Sequence, residues 1–146
     1  MKLKPLLCAM ALCLPLPALA QTAAPCPELP ATSGLSWESS AGDDFLFCKA
    51  MREDGFQAFS VMLRGEDESR FRERFSLREE KGLIDGHEVR WYRGTVPDAI
   101  VRETLIELDD DLTAHIMLRV DTEEQLAESL RLAESIRFGD SRIGSN

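Results

Sequence analysis

The sequence predicts an α+β fold: an antiparallel β-sheet with a C-terminal helix packed on one face, formed by a single domain over residues 35–139. Three observations lead to this prediction. Segments with the two-residue alternation of strands outnumber those with helical periodicity. Short turns join consecutive strand segments, which favours antiparallel pairing. The one strong helical pattern comes last, after residue 120.

The N-terminus has the three parts of a secretory signal peptide, over residues 1–20. Lys2 and Lys4 form a positive region, Leu6 to Leu16 an apolar one, and Ala18 to Ala20 a small-x-small cleavage site. The apolar run is shorter than the roughly 20 residues that span a bilayer. No cysteine follows a small residue at the cleavage point, as a lipid anchor would require. We therefore expect a periplasmic or secreted protein without a membrane anchor.

The composition of the remaining chain limits its partners. Residues 21–34, rich in Ala, Pro, Thr and Ser, are expected to form an extended leader, and residues 140–146 a disordered tail. Loss of residues 1–20 would remove two lysines and change the formal charge from −9 to −11. Such a charge disfavours nucleic acid and anionic lipid, which attract cationic surfaces. It permits attraction to a basic protein, although a charged, solvated surface is the simpler interpretation.

Two of the four cysteines, Cys8 and Cys13, would leave with the signal peptide. The remaining two, Cys26 and Cys48, are expected to form a disulfide in an oxidising compartment and so fasten the leader to a strand. A redox pair or a metal site is the alternative. Against both, the sequence has no C-x-x-C motif and no cluster of histidines near these cysteines.

Strand patterns begin weakly at Leu35–Trp37 and are clear over Asp44–Met51 and Phe56–Arg64. The last two segments are predicted to form a hairpin around the turn Arg52–Gly55. Both faces of Asp44–Met51 are apolar, which is typical of a central strand. The charged segment 65–80 is predicted to be a short helix or loop that leads into a strand.

A tight-turn dipeptide, Asp85–Gly86, precedes the predicted strand His87–Arg93. Trp91 and Tyr92 point to opposite sides of this strand. One ring is expected in the core, and the other on a binding surface or beneath the helix.

The clearest hairpin joins Ile100–Leu108 to Leu112–Val120. Pairing Leu108 with Leu112 sets the register, because a slip of one residue would turn every side chain over. The core pairs are then Ile106 with Ala114 and Thr104 with Ile116. The second face is mixed in polarity and comprises Val101, Glu103, Leu105, Glu107, Thr113, His115, Met117 and Arg119.

The final helix is predicted to begin after Asp121 as N-cap, with Glu124 completing a capping box. Its apolar stripe comprises Leu126, Leu130, Ala133 and Ile136. Gly139 is expected to end it, after Arg137.

We find no catalytic, metal or cofactor motif in the sequence. His87 is expected to be an exposed turn residue. His115 is expected to be a structural side chain, or alternatively a general base beside Glu103 or Glu107. Zinc is disfavoured by two separated histidines and two bonded cysteines. The run Asp109–Asp111 lacks the pattern of a calcium loop and is expected to be a solvated turn.

The second half of the chain resembles the closing β-β-β-α part of Mog1/PsbP-like exported domains, over residues 83–138. The residues that carry the resemblance are Val89, Trp91, Tyr92, Arg102, Glu103, Thr104, His115, Ile116 and the segment Leu126–Phe138. The resemblance implies an α+β adaptor or assembly factor without a shared catalytic centre. The chain departs from that pattern in its disulfide-tethered N-terminus and in lacking an N-terminal helix.

Taken together, these features predict an exported, non-catalytic interaction protein that binds a basic envelope or secreted protein, for example as an inhibitor or immunity protein. The candidate interaction surface comprises Trp91, Tyr92, Glu103, Glu107 and His115. One alternative is a module that binds a small ligand or lipid between sheet and helix. The other is an enzyme with a dispersed site around His115, Glu103 and Glu107.

Overall fold

The computed structural model describes residues 25–65, 77–109 and 112–139. The elements in chain order are β1 (Leu35–Ala41), β2 (Phe45–Arg52), β3 (Gln57–Arg64), β4 (Arg78–Ile84), β5 (His87–Arg93), β6 (Ile100–Asp109), β7 (Leu112–Val120) and α1 (Glu123–Ala133). The predicted signal peptide, the tail, most of the charged segment 65–80 and part of the run Asp109–Asp111 lie outside the described residues.

All seven strands form one antiparallel sheet in the order β1-β2-β3-β7-β6-β5-β4. Two meanders, β1-β2-β3 and β4-β5-β6-β7, are joined by the pairing of β3 with β7. The predicted antiparallel sheet with a C-terminal helix is therefore confirmed. Asp85 and Gly86 both have positive φ, 49° and 83°. These values fit the type I′ turn that matches the twist of the two flanking strands.

The helix α1 packs against β7 and β3, over the middle of the sheet. The space between helix and sheet is filled by side chains that are at most 5% exposed: Phe59, Val61, Trp91, Ile116, Leu118, Leu126, Leu132 and Ile136. Full burial of a large apolar side chain stabilises a fold by about 1.5–3 kcal/mol. Within the described residues, no helix has the length and apolarity to cross a membrane.

The N-cap of α1 is Thr122, one residue later than the sequence predicts. Its hydroxyl accepts a hydrogen bond from the backbone N–H of Gln125, and the Gln125 side chain accepts one from the N–H of Thr122. The capping box is therefore Thr122 with Gln125, and not Asp121 with Glu124. Threonine and glutamine are the residue types that this reciprocal pattern favours.

The helix also ends earlier than predicted, at Ala133 instead of near Gly139. The chain then turns back along the sheet, where Ile136 is fully buried and the N–H of Phe138 donates to Asp85 Oδ2 over 2.8 Å. Ile136 belongs to the core, as the apolar stripe predicts. It reaches the core from an extended segment because pairing with the N-terminal leader replaces the last helical turn.

The leader is fixed at three points. A disulfide joins Cys26 to Cys48, with 5.9 Å between the two Cα atoms, as the sequence predicts. Glu28 and Arg137 exchange two backbone hydrogen bonds, of 2.7 and 3.1 Å. The indole of Trp37 donates to the carbonyl of Pro27 over 2.6 Å. The leader is thereby held against both the sheet and the segment that follows α1.

The β6–β7 hairpin has the predicted core register, with Ile106 opposite Ala114 and Thr104 opposite Ile116. At its closed end, Leu112 pairs with Asp109 and not with the predicted Leu108. An irregularity between Glu107 and Asp109 accounts for the difference. An extra residue in one strand is a β-bulge, which increases local twist and commonly lies at a sheet end.

Candidate interaction surfaces

The sheet has two faces, of which α1 covers one. We call the other the open face; no described helix or strand packs across it. Directly opposed residues of neighbouring strands share a face. One row across the open face contains Phe47, Met62, His115 and Leu105, and the next contains Lys49, Ser60, Met117, Glu103 and Tyr92.

Four of the five residues predicted to form an interaction surface share the open face: Tyr92, Glu103, Glu107 and His115. The prediction is wrong for Trp91. It is fully buried on the helix side, where its indole donates to Glu134 Oε1 over 3.4 Å. Because successive residues of a strand face opposite ways, Trp91 and Tyr92 cannot contribute to one surface.

His115 is paired with Glu103. Nε2 of His115 and Oε2 of Glu103 are 3.2 Å apart, and their side chains are 26% and 15% exposed. Glu103 lies diagonally across the hairpin, since Leu105 is the residue directly opposite His115. Glu107 lies opposite Thr113 and is exposed. The fold therefore brings together His115 and Glu103, one of the two pairings that the sequence leaves open.

This pair has an imidazole and an orienting carboxylate, two of the groups that general-base catalysis uses. One hydroxyl on the open face near this pair is that of Ser60, opposite Met117. It donates to the backbone carbonyl of Met117 over 3.4 Å, so its proton is directed at the main chain. With Met62 and Leu105 directly beside His115 in the register, the surroundings of the pair are largely apolar.

A second charged group, around Arg102, lies on the helix side near the sheet edge. The guanidinium of Arg102 is almost buried and donates to both carboxylate oxygens of Glu80, over 2.9 and 3.2 Å. Burial raises the pKa of Glu80, but the hydrogen bonds from Arg102 and the backbone, with the attraction of Arg102, outweigh it and hold the pKa below its ordinary value. This bidentate pair joins the edge strand β4 to β6 across β5, which is a structural role.

An open cleft of about 330 Å³ lies between the β2–β3 turn, the end of β7 and the first half of α1. We call it the acidic cleft, because four carboxylates line it: Asp54, Asp121, Glu124 and Glu128. Phe56 also lines it and is 71% exposed, the largest value among the exposed large apolar side chains of the described residues. Arg52 and Arg119 contribute positive charge.

The main chain on both sides of Phe56 is held in place. Its N–H donates to Asp54 Oδ1 over 3.1 Å, and its carbonyl accepts from the N–H of Arg52 over 2.9 Å. Gly55 supplies the positive φ of 84° that the turn needs and that other residues rarely adopt. An exposed aromatic ring on a fixed backbone loses little conformational freedom when a partner covers it.

The charges in the acidic cleft are only partly neutralised. Arg52 contacts Glu128 over 2.7 Å and Asp54 over 3.3 Å, and these two carboxylates raise the pKa of its guanidinium. In contrast, the carboxylates of Asp121 and Glu124 form no ion pair with the described residues.

A hollow of about 390 Å³ continues from the acidic cleft on the other side of Arg52 and Glu128. It is lined by Thr32 to Leu35, at the start of β1, and by Glu53. The two depressions share Arg52, Asp54 and Glu128, and together they extend from α1 to the start of β1.

Sequence reasoning missed the acidic cleft, because residues 52–56 and 121–128 meet only through the pairing of β3 with β7. One signal was visible: Phe56 is a large apolar residue directly after a turn, outside the alternation that begins at Ala58.

Within the three described ranges, no group of three or more His, Cys, Asp or Glu side chains could hold a metal ion. In comparisons with known proteins, no family model, no curated protein and no solved structure matches the chain.

Proposed function

We propose that this chain is an exported, non-catalytic interaction protein that binds a basic envelope or secreted protein, as an inhibitor or immunity-type binder, through the acidic cleft. The observation that supports the proposal is the ring of Phe56, 71% exposed on a fixed turn among four carboxylates. Aromatic anchors supply much of the binding energy of protein interfaces. Complementary charges around them raise the association rate and select the partner.

Charge and redox state agree with this function. The formal charge of −9 makes a basic protein a better electrostatic partner than a nucleic acid or an anionic membrane. The disulfide Cys26–Cys48 fits a compartment that is oxidising, where such bonds persist.

The test is capture of cell-envelope and secreted proteins on the immobilised exported chain, at low and at high salt. We expect a basic protein to be retained at low salt, released by high salt, and lost from the Phe56→Ala variant. Leu83→Ala is the matched control, since Leu83 is 57% exposed on β4, away from the cleft.

Three results support the proposal only in combination: the captured protein is basic, its retention depends on salt, and Phe56→Ala but not Leu83→Ala abolishes it. If the Phe56→Ala variant captures the same protein as the unaltered chain, the acidic cleft is not the binding site. Absence of any basic partner at low salt would contradict the electrostatic mechanism itself.

The contact between His115 and Glu103 favours a second candidate, an enzyme in which Glu103 orients His115 as a general base. For this candidate, His115→Ala must abolish an activity while the unfolding transition is preserved. His87→Ala is its control, because His87 is an exposed side chain at the start of β5. Equal activity of the two variants would leave His115 with a structural role.

A further inference from the structure

The two edges of the sheet differ in how they are protected from pairing with another chain. The edge strand β4 has an irregularity between Arg78 and Lys81 and carries a lysine, features that discourage pairing. The edge strand β1 pairs with β2 over seven consecutive residues without a shift in register. Its sequence contains neither proline nor lysine. The β1 edge is therefore the less protected of the two.

Backbone groups along β1 point alternately toward β2 and away from it. The N–H of Gly42 donates to the carbonyl of Phe45, which makes Gly42 and Phe45 a hydrogen-bonded pair. Counting back by two, Ser40, Glu38 and Ser36 bond to β2, whereas Ala41, Ser39 and Trp37 direct their N–H and C=O groups outward. Leu35 also faces outward, but its N–H donates to the Ser33 hydroxyl over 3.3 Å. Three consecutive outward positions remain without a backbone partner among the described residues.

The charge beside this edge indicates what could pair with it. The charged residues of β1 and the turn after it are Glu38, Asp43 and Asp44, and all three are exposed. A second copy of this chain would bring the same negative charges into contact, which is unfavourable. A strand paired with β1 would place a basic side chain beside Glu38, and basic residues past the end of β1 would lie near Asp43 and Asp44.

The edge is also continuous with the acidic cleft. The hollow that adjoins the cleft is lined by Leu35, the first residue of β1. A partner segment that follows β1 would run into this hollow and reach Arg52, Asp54 and Glu128, which line both depressions.

We propose that the β1 edge binds an extended segment of the basic partner as an eighth strand, with its backbone bonded to Trp37, Ser39 and Ala41. This inference rests on the proposed function, since the partner is the same basic protein. Backbone hydrogen bonds would supply affinity, and the basic side chains would supply specificity.

The test uses an octapeptide that alternates lysine and valine, with blocked ends, and the exported chain. We expect the amides of Trp37, Ser39 and Ala41 to exchange at least about tenfold more slowly when the peptide is bound. A peptide of equal charge with prolines in place of the valines cannot form the ladder and is expected to give no protection.

Ser39→Pro is the decisive variant. Because the N–H of Ser39 points outward, proline there removes no bond to β2, and the chain is expected to fold normally. We expect Ser39→Pro to weaken peptide binding by at least about tenfold. Leu83→Pro is the matched control, because Leu83 lies on the opposite edge strand β4. Counting back from the Asp85–Gly86 turn in the same way, its backbone N–H also points outward.

Equal binding by Ser39→Pro and the unaltered chain would overturn the inference, and so would protection that arises at high protein concentration without peptide, which indicates a second copy. Either result leaves the capture experiment on Phe56 untouched, so failure of the strand inference and failure of the acidic cleft can be told apart.

Discussion

The indole of Trp91 donates a hydrogen bond to the carboxylate of Glu134, and Gly82 makes room for this contact. Trp91 is completely buried on β5, Glu134 caps the end of α1, and Gly82 lies on the edge strand β4. A Cβ atom at Gly82 would clash with Oε1 of Glu134 and come within 3.0 Å of Nε1 of Trp91. The glycine therefore lets one carboxylate join the helix end to the sheet.

We expect Gly82→Ala to lower the free energy of unfolding by about 1 kcal/mol, because it displaces Glu134 and leaves a buried indole N–H without its acceptor. Urea denaturation measures the effect. In a Glu134→Ala background the same substitution should cost less, because the contact is already gone. Additive effects of the two substitutions would refute this account of Gly82.

Removal of the disulfide by the double change Cys26→Ala and Cys48→Ala should cost roughly 3 kcal/mol of stability, since the bond restricts the unfolded chain. Guanidinium denaturation of the variant and of the reduced, unaltered chain should give similar midpoints. A variant as stable as the oxidised chain would mean that the contacts of Trp37 and Glu28 alone hold the leader in place.

The position of the helix cap predicts different effects on stability for substitutions at two neighbouring residues. Thr122→Ala should destabilise the fold by about 1 kcal/mol, whereas Asp121→Ala should change it by much less. The reason is that only the Thr122 hydroxyl accepts the N–H of Gln125. Thermal denaturation of both variants measures the difference. The reverse order of stability would restore Asp121 as the cap.

The ion pair between Arg102 and Glu80 should make the free energy of unfolding depend on pH. The pKa of Glu80 lies below its ordinary value of 4.5 in the folded chain, so the ionised carboxylate adds stability above that pH, and this contribution is lost as the pH falls through the folded-state pKa. We expect Glu80→Gln to be less stable than the unaltered chain near neutral pH and to approach it in acid. Denaturation across this pH range, with the exposed Glu88→Gln as control, measures the effect. A stability difference that is independent of pH would contradict it.

Sequence patterns alone identified most strands, because alternation along a strand is a local property. The core pairs Ile106–Ala114 and Thr104–Ile116 followed from parity within one hairpin. The same local reasoning misplaced the N-cap by one residue, since Asp121 and Thr122 are both good capping residues and only the side-chain geometry selects between them. It also extended α1 past Ala133, because Ile136 continues the helical spacing of apolar residues. In the structure Ile136 is buried, but it lies in an extended segment after the helix.

The candidate sites also divide into features that follow from local sequence and features that follow from the tertiary structure. The sequence by itself determined the disulfide pairing, the faces of β6 and β7, and therefore the possibility that His115 meets Glu103, because each depends on a few cysteines or on neighbouring strands. Only the tertiary structure decided that Trp91 lies under α1 and that Phe56 stands among the carboxylates of the acidic cleft. It alone also decided that β1 lies at an edge of the sheet and not inside it. The acidic cleft depends on the pairing of β3 with β7, which brings together segments more than fifty residues apart, such as Ser60 and Met117. No local periodicity encodes such a pairing, because its free energy comes from the core that forms when the two meanders join.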